Sequence, residues 1–122
     1  MAIYKLWHEI LPNFPKDSRY TLGQKIDSAF LEVIERIIKA GYADKVEKLI
    51  FLKSASAKLD LLKFFLQIAW ENKCVPNEKY ALLSEQLNEI GRMLGGWRKG
   101  LEKKTPPKYI RGETASFGTA TR

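Results

Sequence analysis

Apolar residues recur along this chain at steps of three and four, and proline and glycine divide them into segments. Ile3, Leu6, Trp7 and Ile10 predict a short amphipathic helix over residues 2–11. Pro12-Asn13-Phe14-Pro15 reads as a loop. A first long helix is expected to start between Lys16 and Thr21, with Asp17 or Ser18 as N-cap and capping-box spacing at Thr21–Gln24. Its stripe is Leu22, Ile26, Phe30, Val33 and Ile37, and Gly41 is expected as the residue that ends it.

A second helix is expected from Asp44, with Glu47 three residues on, to about Lys73. It carries two stripes: Leu52, Ala55, Leu59, Leu62, Leu66, Ala69, and Leu61, Phe64, Phe65, Ile68. An apolar surface wider than half the helix predicts either deep burial or two partners at once. Pro76 is expected to end it and to open the next helix in its first turn. That third helix repeats Tyr80, Leu83, Leu87, Ile90, Leu94, Trp97 and Leu101, the a/d seam of three heptads. At about 100° per residue, Arg92, Lys99 and Lys103 fall within about 40° of one another, opposite the seam.

Three long helices with short connections, plus the N-terminal segment, predict an all-α, up-down antiparallel four-helix bundle over residues 1–104. Pro106-Pro107 stops the helix, and residues 105–122 are expected to form a flexible tail. The excess apolar surface of the second helix predicts self-association, with Phe64 and Phe65 among the contact residues. Gly91 and Gly95 interrupt the third helix four residues apart without breaking the seam that continues to Trp97. A close approach of another backbone explains them better than a helix break.

The charge refines this picture. The chain of 122 residues carries a net charge of +7, with 13 Lys/Arg against 12 Asp/Glu up to Gly91 and 8 against 2 from Arg92 onward. A local basic excess is a footprint for polyanions. The candidate nucleic-acid-binding residues are Arg92, Arg98, Lys99, Lys103, Lys104 and Lys108.

Candidate chemistry is sparse. A zinc site needs three or four ligands, and the chain has one Cys and one His. No metal, cofactor or catalytic residue is expected. Paired acids such as Glu85 and Glu89 sit among cations at helical spacing and read as a solvated face. A lone Cys74, the absence of a signal-like N-terminus and the absence of a long apolar run point to the cytoplasm, away from membranes.

Glu89-Ile90-Gly91-Arg92-Met93-Leu94-Gly95-Gly96-Trp97 resembles the C-terminal helix signature of Avd, the accessory variability determinant of diversity-generating retroelements. Phe14-Pro15-Lys16 with Arg19 and Leu22-Gly23, and Leu61 to Leu66, resemble two further parts of that family. The resemblance covers about residues 5–104. It implies a four-helix bundle assembled as a barrel-shaped homopentamer without an active site. It also implies binding to nucleic acid, RNA or DNA, and to the retroelement's reverse transcriptase in support of mutagenic cDNA synthesis. Arg92 lies inside the matched motif; Lys99, Lys103 and Lys104 fall where the family is generally basic. The alternative is a general RNA-binding or protein-assembly bundle of the type found with ribosomal RNA intervening sequences, which shares the fold.

Overall fold

A computed structural model describes residues 2–104, with the side chains of Lys103 and Lys104 outside the description. Helix α1 spans Ala2–Ile10 and a 3-10 turn follows at Leu11–Asn13. A long helical rod then starts as α2 (Lys16–Ser18), passes through a π-helical segment at Arg19–Gly23 and continues as α3 (Gln24–Tyr42). Helices α4 (Lys45–Glu71) and α5 (Asn77–Lys104) complete the bundle. The described residues are helical with no strand.

The six residues of the first α4 stripe, Leu52 to Ala69, are all buried. Helix α4 lies between α3 and α5, and it is tied to each. Arg36 Nε donates to Ser54 Oγ at 2.9 Å, and Lys58 pairs with Glu32 at 3.4 Å. On the other side Trp70 stacks on Tyr80 with ring centroids 4.6 Å apart and donates to Asn77 Oδ1 at 2.7 Å. Helix α1 closes the square opposite α4. Trp7, 0% exposed, stacks on Phe30 at 5.7 Å and meets Phe14 edge-on at 5.5 Å. Nine residues make α1 only about 13 Å long against about 40 Å for α4. It therefore covers only about a third of the length of α4.

Several helix ends differ from the sequence expectation. Asp17 and Ser18 lie inside the first turn. The extended Pro15 is the cap residue, its carbonyl accepting from Arg19 N–H at 2.9 Å. Thr21 opens no capping box either; its hydroxyl donates to Asp17 O at 3.1 Å. Gly41 does not end its helix, which runs through Tyr42. Ala43 turns extended so that Asp44 can cap the next helix, accepting Glu47 N–H at 2.9 Å. Pro76 precedes α5 rather than joining it, and its carbonyl accepts from Tyr80 N–H at 2.9 Å.

The end of α4 is a Schellman turn. Cys74 N–H reaches Ala69 O at 2.8 Å and Lys73 N–H reaches Trp70 O at 3.0 Å. Lys73 takes φ 62°, the left-handed conformation a side chain disfavours by about 1–2 kcal/mol. Lys73→Gly should therefore stabilise the chain by about 1 kcal/mol. A urea titration with an unchanged or lower midpoint would contradict this.

Candidate nucleic-acid interface

The antiparallel turn between α4 and α5 brings together two stretches that are far apart in sequence. Lys48 Nζ lies 5.8 Å from the Trp97 ring centroid, which places the first turns of α4 beside the last turns of α5. Residues 45–53 and 92–104 together hold eight Lys/Arg and two acids, Glu47 and Glu102. The lower stretch, residues 58–91, holds four Lys and five acids. The bundle is thus polarised along its axis, with one basic end. Lys45 and Lys48 sit at the positive end of the α4 dipole, where cations are disfavoured. The Asp44 carboxylate, as N-cap, and Glu47 stand at the same end.

Of the expected residues, Arg92 and Lys99 are exposed on the outer ridge of α5. Arg92 Nη2 stands 4.0 Å from Glu89 Oε2, an open surface pair that leaves the guanidinium accessible. Arg98 is not on this ridge. It is half-buried, two turns beyond Gly91 on the flank that faces α4. Lys103 and Lys104 are the last residues of α5, and Lys108 lies outside the described residues. Lys45, Lys48 and Lys53 join this end only in the fold, because the charge of residues 1–91 nearly cancels along the sequence.

Trp97 is half-buried, not fully enclosed. The helix runs unbroken through Gly91, Gly95 and Gly96. Among the described residues no other backbone approaches these glycines. A Cβ at Gly91 would meet Leu59 Cδ2 at 3.4 Å and Lys63 Nζ at 3.6 Å, and one at Gly95 would meet nothing within 4 Å. The space beside Gly95 is open among the described residues. Gly95→Ala should raise the stability of the isolated chain by about 1 kcal/mol. Gly95→Leu should reduce oligomer size if a second chain passes there. A Leu variant with an unchanged light-scattering mass would remove the close-approach reading.

On α4, Phe64 is 58% exposed and its ring centroid lies 6.3 Å from that of the half-buried Phe65. Val46, Ile50, Ala57, Leu61, Phe64 and the half-buried Ile68 follow an 11-residue repeat broken only by Lys53. They occupy the side of α4 opposite its buried stripe.

A second polar cluster was not legible in advance. Asp27 Oδ1 accepts from Tyr4 Oη at 3.0 Å and Trp7 Nε1 at 3.1 Å, and lies 3.0 Å from His8 Nε2. Burial, then the hydrogen bond to Asp27 and its charge, raise the Tyr4 phenol above its ordinary range. The cluster fastens α1 to α3. Arg19, part of the Avd-like motif, is likewise structural. Its Nη2 donates to Pro12 O at 2.9 Å and Phe14 O at 3.3 Å, holding the loop onto the π-helical segment. Gly23 completes that joint, since a Cβ there would come within 2.8 Å of Leu11 Cδ1.

Among the described residues no group of three His, Cys, Asp or Glu could hold a metal ion, and no helix is long and apolar enough to cross a membrane. Fold and surface together define an all-helical bundle protein whose exposed chemistry is concentrated in cations at one end. The chain belongs to the bAvd-like family, whose sequence model matches residues 1–101. The Avd resemblance carried by Glu89–Trp97 is thus shown at the level of the family. No curated protein matches the chain.

Proposed function

We propose that this chain is a non-catalytic accessory protein of a diversity-generating retroelement, binding nucleic acid and the element's reverse transcriptase during mutagenic cDNA synthesis. The family match over residues 1–101 carries the reading. The basic end built from α4 and α5 supplies a surface for template RNA or cDNA. A rigid body that holds template and polymerase together raises the effective concentration of each for the other.

We also propose a closed homo-oligomer, with a pentamer implied by the family resemblance. A ring needs two different patches, because head-to-tail contacts join unlike surfaces. The outer stripe of α4 from Ala57 to Ile68 is one patch. Leu31 and Ile38 of α3 with Leu82 and Met93 of α5, exposed on either side of α1, supply the other on the opposite face. Five chains of 14.0 kDa make about 70 kDa. Light scattering that reports a 14 kDa particle at micromolar concentration would refute assembly.

Function is tested by co-expressing the chain with a reverse transcriptase encoded beside it. The two should co-purify, and template-primed cDNA synthesis should depend on this chain. A polymerase that neither co-purifies nor changes its cDNA output would leave a general RNA-binding or assembly bundle as the better account.

A further inference from the structure

Between the N-terminal end of α1 and the middle of α5 lies a cleft of about 380 Å³. Ala2, Ile3, Ile90 and Met93 make it apolar, and Glu85 and Glu89 stand on its rim. Met93 is 70% exposed, a large apolar side chain left to water. On the side of the bundle away from α1, helix α4 carries a ridge instead. Phe64 is 58% exposed and Leu61 42%, and with Ala57 and Ile68 they follow one line along the helix. Ridge and cleft stand at the same height. A Cβ at Gly91 would touch Leu59, and Tyr80 stacks on Trp70, which fixes how α4 and α5 run past each other. Counted from these pairs, Ala57 to Ile68 is level with about residues 82–93 of α5, the span that lines the cleft.

We propose that Phe64 and Leu61 of one copy seat in the α1–α5 cleft of the next, so that the chain assembles head to tail through two unlike surfaces. The pairing rests on the self-association proposed above, not on the number of copies. Ridge and cleft lie on different faces of one chain, so neither can fill the other within it, and each copy keeps one of each open to a further copy. Level decides what such a series of contacts makes. Copies related by rotation alone stand at one height, whereas an offset between ridge and cleft would add a rise at every contact and build an open filament. Ridge and cleft at one level let upright bundles close into a ring. The surface is divided as an interface requires. Apolar side chains hold the centre, and Asp60, Glu85 and Glu89 stay at the margin, where carboxylates keep their water. In such a ring every bundle points the same way, and all the basic ends lie on one rim.

The test uses two full-length variants, Phe64→Glu, which spoils the ridge, and Met93→Glu, which spoils the cleft. Both positions are exposed, so the far-ultraviolet circular dichroism should stay that of the parent. Each variant alone should fall to a single chain of 14.0 kDa by light scattering. Mixed, the two should form one intact contact, the Phe64 ridge of the Met93 variant in the cleft of the Phe64 variant, and stop at a dimer of about 28 kDa. The photo-crosslinking residue p-benzoylphenylalanine in place of Phe64 should join Met93 or Ile90, and an equal mixture of heavy- and light-isotope copies should give mixed products. With a parent that assembles, three results would each overturn the pairing and leave self-association standing: a Met93 variant of parental mass, a mixture of the two variants that stays monomeric, or crosslinks from position 64 to position 64 of a second copy. A parent that is itself a 14.0 kDa monomer would overturn both.

Discussion

Replacing Trp7 with alanine should cost about 3–5 kcal/mol, the usual loss for truncating a fully buried tryptophan. Trp7 is 0% exposed, packs against Phe14 and Phe30, and supplies one of the donors to Asp27. Its removal strips the short helix α1 of its main anchor and leaves a cavity where α1 meets α3. Against a typical total of about 5–15 kcal/mol, that loss leaves the fold marginal. Trp97→Ala should cost less, because Trp97 is half-buried and its neighbour Lys48 can move with it. Urea unfolding of both variants checks the order. A Trp7 variant within about 1 kcal/mol of the parent would show that α1 is an accessory rather than a wall of the core.

Binding to RNA or DNA should weaken steeply with salt, and the α4 lysines should carry as much of that dependence as the α5 ridge. Each phosphate contact removed lowers the slope of log affinity against log salt by about 0.7 for single strands and about 0.9 for duplex DNA. Lys45→Gln, Lys48→Gln and Lys53→Gln together should therefore flatten the slope by about 2–3. Arg92→Gln with Lys99→Gln should flatten it by about 1–2. Titrations at several salt concentrations decide the matter. An α4 triple variant with the parental slope would confine the contact to the α5 ridge and the residues that follow it.

The helical pattern was readable because burial imposes a period. The stripe from Leu52 to Ala69 matches the buried residues of α4 position for position, and Leu83, Leu87 and Leu94 of the heptad seam are buried. Helix ends were less legible. Gly41 carries a strong local stop signal, yet the helix continues because Asp44 fixes where the next one must start. Lys73 takes a glycine's conformation, which no side-chain preference announces. The basic end was half legible. Arg92 and Lys99 stand out in a basic C-terminal quarter, whereas Lys45, Lys48 and Lys53 belong to a stretch whose charge nearly cancels, and only the α4–α5 turn lays them beside the end of α5. The Asp27 cluster joins residues about twenty apart, and nothing in the local pattern pairs them.

The four glycines at positions 91, 95, 96 and 100 have an energetic consequence for the basic end. Relative to alanine they take away about 4 kcal/mol of intrinsic helix preference from the second half of α5. The same stretch concentrates like charges, which repel one another. Its helicity is therefore borrowed from packing against α4, and it should be the first part of the bundle to open. A bound polyanion would neutralise the repulsion and steady the helix at once. Part of the binding energy would then be spent on ordering the very surface that binds, and amides of residues 95–104 should gain protection from exchange when RNA is added.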